Sequence, residues 1–264
     1  MDVVRSAIPT DTRAPDGRTN AYVLGREPAI LVDPADSSET LDELVRERGV
    51  EHIVVTHAHP DHVGAVDHYA THIDRPVTCW ALDRAESRFE RATGRPPDDT
   101  FTDGDRLTVG DGTVRIVALP GHAPDHVGLV VGDDGPVCCG DCAVRDGSVV
   151  VGGEGADMRA YLASLQRLRA LDPPTLLPGH GPPIEDPEGT IDRLVTHRER
   201  RERRIKDAVE QGARKPEEIL ENAYEKDLTG VSDLARATVV AHLEKLTADG
   251  ELSWDGSTAM LTDR

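Results

Sequence analysis

Apolar residues in this chain come in short blocks that stop abruptly at glycine, proline, histidine or aspartate. Ala29-Ile30-Leu31-Val32 stops at Asp33-Pro34, and His52-Ile53-Val54-Val55 stops at Thr56-His57. Val114 to Leu119 runs into Pro120-Gly121-His122, Pro136-Val137-Cys138-Cys139 into Gly140-Asp141, and Thr175-Leu176-Leu177 into Pro178-Gly179-His180. Short apolar runs bounded by turn formers read as buried strands. Further short strands are expected at residues 3–8, 21–24 and 107–109. Residues 37–48, 63–69, 82–92 and 158–170 read as helices, the first opening with serines that can cap it. Strands alternating with helices predict a layered α/β domain.

The rhythm changes after residue 180. Proline and glycine between 181 and 189 interrupt regular structure, so the first unit is expected to span residues 1–189. Residues 190–212 read as one long helix with a local excess of arginine, placing Ile191, Leu194, Arg198, Ile205 and Val209 roughly on one face. Residues 213–264 have the rhythm of a winged helix: two helices and a β-hairpin that would bury Ile219, Leu220, Leu243, Leu246 and Leu252. This last stretch carries eleven acidic against six basic side chains. It lacks the cationic footprint that DNA binding requires.

The whole chain is acidic, with a net charge of -19 over 264 residues, and lysine occurs only at 206, 215, 226 and 245. An acidic, lysine-poor surface predicts a salt-adapted protein of the halophilic kind, because salt screens its self-repulsion. There is no basic-then-apolar amino-terminal segment and no apolar run near the roughly 20 residues needed to span a bilayer. A cytoplasmic protein without membrane partners is expected. Cys79, Cys138, Cys139 and Cys142 do not form a two-plus-two zinc-ribbon pattern and are expected as reduced thiols. Cys142 follows Asp141 but reads as a small buried residue.

Residues 56–62, Thr-His-Ala-His-Pro-Asp-His, hold the densest chemistry. Imidazole nitrogen and carboxylate oxygen suit zinc and its first-row neighbours. In a tight segment His57 and His59 can point one way while Asp61 and His62 face a second ion. Three protein ligands suffice for one metal, so four candidates in one loop suggest two. His122, Asp141 and His180 arrive at the ends of other strands, where they can complete both shells. Asp33, also at a strand end, can anchor the histidine loop by hydrogen bonds. His52, His68, His72, His197 and His242 lack this loop context and read as surface or packing residues.

The ordered set Asp33, His57-x-His59-x-Asp61-His62, His122, Asp141 and His180 resembles the five-motif signature of the metallo-β-lactamase superfamily, over roughly residues 18 to 185. The resemblance implies an α/β fold, the αβ/βα sandwich, with a two-metal centre at one edge of its sheets. By that resemblance His57, His59 and His122 hold the first ion, Asp61, His62 and His180 hold the second, and Asp141 bridges them. Two divalent ions are implied, with zinc expected and manganese or iron as alternatives. The aspartate at the bridging position is the pattern of the hydrolase branches, whereas true β-lactamases of this fold usually carry cysteine there. His126 resembles a family histidine lying close to the site.

Taken with the arginine-rich helix and the tail, the chain resembles the beta-lactamase-like protein 2 branch, which includes a single-strand-selective endoribonuclease. Two metals can activate a water for attack on a carbonyl or phosphoryl group without a serine or cysteine nucleophile. Asp61 is the expected catalytic residue, orienting that water or accepting its proton. Three functions remain open. They are hydrolysis of a small ester, thioester or lactone in the manner of glyoxalase II, cleavage of single-stranded RNA, and non-enzymatic metal-sensing regulation. The acidic surface favours the small substrate, the intact ligand set disfavours the regulator, and Arg198, Arg201 and Arg204 are the residues expected to meet an anionic substrate.

Overall fold

The computed structural model describes residues 1–110, 112–224 and 228–262. Its first sheet orders β1 (Val3–Pro9), β2 (Arg18–Leu24), β3 (Ala29–Val32), β4 (Val50–Val54), β5 (Thr78–Leu82) and β6 (Asp99–Phe101) side by side. Pairing is antiparallel from β1 to β3 and parallel from β3 to β6. Parallel neighbours need crossovers, and helices provide them: α1 (Glu39–Arg48), then α2 (Pro60–Val63) and α3 (Val66–His72), then α4 (Glu86–Thr93).

The second sheet orders β11 (Leu176–Pro178), β10 (Val137–Gly140), β9 (Val127–Val131), β8 (Gly112–Ala118) and β7 (Arg106–Val109). It is antiparallel except where β10 meets β11 across α5 (Met158–Ala170). Alternation along the strands divides the apolar residues between two faces. Tyr22, Leu24, Ile30, Val32 and Val54 meet Val114, Ile116, Leu129 and Leu177 between the sheets. Val23, Leu31 and Ile53 pack outward under α1, α3 and α4 through Leu41, Tyr69 and Phe89. Val117, Leu119 and Val137 pack outward under Tyr161, Leu165 and Ile191. The result is a four-layered α/β sandwich, and every residue of β3 is buried, as expected for a strand covered on both faces.

Helix ends refine the sequence reading. α1 starts at Glu39 because Ser38 caps it, its hydroxyl accepting from Leu41 N at 3.2 Å. The helix expected at 63–69 is two short ones, α2 and α3, and Leu82 belongs to β5 instead of opening α4. The long helix α6 (Pro187–Glu210) begins inside the stretch read as irregular. Asp186 accepts from Gly189 N at 3.0 Å, and proline at the first turn is helix-compatible.

α6 serves two cores. Ile191 and Leu194 sit in the layer beside α5, whereas Ile205, Ala208 and Val209 join a separate cluster. That cluster also contains residues of α7 (Pro216–Ala223), α8 (Ser232–Ala248) and a hairpin of β12 (Leu252–Trp254) and β13 (Ala259–Leu261). Ile219, Leu243, Leu246 and Leu252 are buried there, with Leu220 partly so. α8 also reaches the main body, placing Ala241 in the cluster around α5. Among the described residues, no helix is long and apolar enough to cross a membrane.

Candidate metal centre

β3 and β4 lie side by side and end together, so Asp33 and the 56–62 loop meet at one sheet edge. Asp33 adopts a left-handed backbone, φ 49°, and gathers three donors. Thr56 N donates to its Oδ1 at 2.6 Å, Thr56 Oγ1 to its Oδ2 at 2.7 Å, and His62 Nδ1 lies 2.9 Å from Oδ2. The His62 proton is thereby drawn to Nδ1, and Nε2 faces inward, buried without a hydrogen-bond partner. The hydroxyl of Thr56 is committed to Asp33, so it accepts from His57 Nδ1 at 3.1 Å and leaves His57 Nε2 for the centre.

Backbone carbonyls orient two more rings. His122 Nδ1 lies 2.7 Å from Val150 O, and His180 Nδ1 lies 2.7 Å from Arg18 O. In each case Nε2 points at the cluster. His59 instead presents Nδ1, which lies 2.9 Å from both His57 Nε2 and His122 Nε2. Asp141 stands between the two groups of rings. Its Oδ2 is 3.5 Å from His122 Nε2 and 3.5 Å from His180 Nε2, and its Oδ1 is 3.7 Å from His62 Nε2. Asp61 Oδ2 is 3.5 Å from His180 Nε2.

These side chains form three overlapping groups whose potential ligand atoms lie within 4.8 Å of one another: His57, His59 and His122; His57, His62 and Asp141; Asp61, His62 and His180. The donor set fits divalent ions. Three imidazole nitrogens converge with too few protons to bond one another, and the buried Asp141 Oδ1 lacks a hydrogen-bond partner, as His62 Nε2 does. Two glycines make the cradle possible. A Cβ on Gly179 would sit 2.6 Å from Asp141 Oδ1, and one on Gly140, φ 47°, would sit 2.6 Å from Thr56 Oγ1.

Protonation follows burial and charge. Burial, aided by neighbouring imidazoles, holds His57 well below the usual histidine range and lowers His59 to about 4, so both offer lone pairs at neutral pH. Burial also acts to lower His62, but Asp33 and Asp141 outweigh it and raise that residue well above normal. Burial acts to raise Asp141, yet His62 and His180 hold its carboxyl well below the ordinary range.

His126, expected near the site, lies behind it. Its Nε2 accepts from Asp141 N at 3.0 Å, and burial lowers its pKa to about 3, keeping that acceptor free of a proton. Cys142 is buried in the apolar cluster around α5, away from the cleft. The arginines are placed differently from the sequence expectation. Arg198 is buried, donating to Val149 O and lying 5.4 Å from the Tyr161 ring centroid. Arg201 covers the Tyr224 ring at 3.3 Å and donates to Ala223 O at 2.6 Å. Neither these two nor the exposed Arg204 line the cleft over the centre.

That cleft, about 580 Å³, is walled by the β1–β2 loop, the loop after β10 and Leu234 of α8, and its arginines are Arg13 and Arg145. Sequence reasoning missed four supporting residues. Thr12 Oγ1 donates to Asp61 Oδ2 at 2.6 Å, and Asp125 Oδ2 accepts from Ala58 N at 2.9 Å while its Oδ1 pairs with Arg88. Asn20 and Tyr22 both donate to Pro178 O, fixing the turn before His180. Only Asp125 carried a signal, since it directly precedes His126.

A family model described as the metallo-beta-lactamase superfamily matches residues 14–180. A Beta-lactamase-like protein 2 homolog of Caenorhabditis elegans is 30% identical over 197 residues, which is 71% of this chain and 64% of that one. An Atrochrysone carboxyl ACP thioesterase of Aspergillus fumigatus is 26% identical over 194 residues, 71% of this chain and 58% of that one. The chain thus spans a little under two thirds of these two relatives. The crystal structure of a metallo-beta-lactamase family protein from Thermus thermophilus superposes with a TM-score of 0.79 at 22% identity, covering 98% of both chains, a likeness of fold. With its four-layered sandwich and its histidine and aspartate cluster at one sheet edge, the chain belongs to the metallo-beta-lactamase superfamily.

Proposed function

We propose that this protein is a metal-dependent hydrolase acting on a small ester, thioester or lactone at a dinuclear centre. The observation that carries the reading is the convergence of His57, His59 and His122 on one side of Asp141 and of Asp61, His62 and His180 on the other. His57, His59 and His122 would hold one ion, Asp61, His62 and His180 the second, with Asp141 shared and zinc favoured over manganese or iron. Bound there, two divalent ions would supply Lewis acidity and bring the pKa of a water near neutrality.

The chain's own groups do the remaining work. Asp61, part-exposed at the cleft floor, orients the attacking water and accepts its proton. Pro15, Val144, Val150 and Leu234 give the cleft an apolar wall that fits an acyl chain and excludes bulk water. Cys142 is no candidate nucleophile, because burial pushes its thiol well above the ordinary range and away from the thiolate. Residues 213–264, read as a winged-helix-like module, contribute the Leu234 wall.

Three observations favour an acyl substrate over single-stranded RNA. A relative is named as a thioesterase, the chain carries a net charge of -19, and Arg198 and Arg201 are engaged away from the cleft. A polyanion would meet net repulsion on approach. The test is incubation of metal-loaded protein in molar salt with a panel of acyl thioesters, lactones and single-stranded RNA. Cleavage of thioesters or lactones that stops on chelation is expected. Metal-dependent cleavage of RNA alone would replace this reading with the phosphodiesterase one.

A further inference from the structure

Thr12 and Arg13 are adjacent residues of the β1–β2 loop that reach in opposite directions. Thr12 donates its hydroxyl to Asp61 Oδ2 at 2.6 Å. Its oxygen is in turn held by Ala14 N at 3.2 Å, which leaves the hydroxyl hydrogen for the carboxylate. Arg13 grips the start of α8: NH1 and NH2 lie 3.1 and 3.0 Å from the two carboxylate oxygens of Asp233, and NH2 donates to Gly230 O at 2.7 Å. Asp61 and residues 230–233 are therefore joined through two consecutive loop residues, although they lie far apart in sequence. The bidentate pair is exposed, so its contribution to stability is small, but its fork geometry fixes position.

We propose that Thr12 is a positioning residue for Asp61, and that the Arg13 clamp on Asp233 and Gly230 sets where Thr12 stands, coupling the carboxy-terminal module to the metal centre. This rests on the reading of Asp61 as a ligand of the ion held by His62 and His180. The hydroxyl holds the Asp61 carboxylate in one orientation at the edge of the cleft, where the side chain is 20% exposed and otherwise free to turn into solvent. Groups that orient metal ligands govern affinity for the ion they support. Thr12 touches only Asp61 among the ligands for which contacts are described, so it should affect one ion and spare the other.

The experiment is calorimetric titration of chelated full-length protein with zinc chloride alone. Wild type should take up two ions in separable steps, and Asp61→Ala should lose one step. Thr12→Val, which keeps the shape and removes the hydroxyl, should weaken that same step by about 10-fold or more and leave the other unchanged. Thr12→Ser should restore it, separating lost hydrogen bonding from a disturbed loop. Arg13→Gln should weaken the same step, and adding it to Thr12→Val should produce no further loss if both act along one path. Unaltered binding in Thr12→Val, beside a wild type that holds two ions, would overturn the positioning role alone. Strictly additive losses would overturn the clamp. A wild type holding one ion, or an Asp61→Ala variant retaining both steps, would remove the ligand reading and this inference with it.

Discussion

His62 Nδ1 lies 2.9 Å from Asp33 Oδ2, and this contact decides which nitrogen of the ring faces the centre. Asp33 is 1% exposed, so in the folded protein its contacts are with buried groups instead of bulk water. Asp33→Asn should lower affinity for the ion proposed at His62 by about 10- to 100-fold, the usual effect of losing a group that orients a ligand. Asp33→Ala should also lower the melting temperature, because each buried donor left at Thr56 and His62 costs about 1–3 kcal/mol. Metal titration and thermal unfolding of both variants check this, and wild-type behaviour in either assay would refute it.

Removing a proposed ligand should act on turnover outright. His59→Ala takes away the nitrogen lying 2.9 Å from two others, and Asp141→Ala takes away the carboxylate standing between both groups of rings. Both variants are expected to fold and to lose hydrolysis beyond detection, with less than the wild-type metal content. Retention of turnover within tenfold in either variant would be the contrary result.

The gathering of these histidines and aspartates was legible because their loops each follow an apolar run, and a loop that follows a buried strand starts at the sheet edge. Asp33 was legible for the same reason. Arg198 lies away from the cleft because α6 turns Ile191, Leu194, Arg198 and Ile205 to one face, and that face is buried. What accommodates a guanidinium there is Val149 O and the Tyr161 ring, partners set by the tertiary fold. Thr12 was invisible since its partner lies 49 residues away and a threonine in a loop carries no periodic signal. The start of α6 was misread through Pro187, which breaks a helix interior but suits its first turn.

The interface between α6 and α8 should be acid-sensitive. His242 is fully buried, and burial lowers its pKa from 6.5, while Glu202, 3.3 Å from it, is held below the usual carboxylate range by His242 and Lys245 against the effect of burial. A depressed folded-state pKa gives stability that is present above the unfolded value and lost as pH falls through the folded one. For His242 the loss begins below about pH 6.5, and for Glu202 below about pH 4.5. His242→Gln should flatten the fall in melting temperature between pH 7 and pH 5. An unchanged slope would show that this histidine does not carry the effect.

Salt should stabilise the protein. A net charge of -19 repels itself over a Debye length of about 30 Å at 0.01 M and about 3 Å at 1 M. The melting temperature is expected to rise between those limits in sodium chloride. A flat or falling profile would mark an ordinary acidic protein without salt adaptation.

The most direct test follows thioester hydrolysis as a chelated sample is reloaded with zinc one equivalent at a time. The account expects negligible turnover without metal and full activity only as the second equivalent per chain binds. Full turnover in the metal-free sample, or saturation at one equivalent, would contradict it.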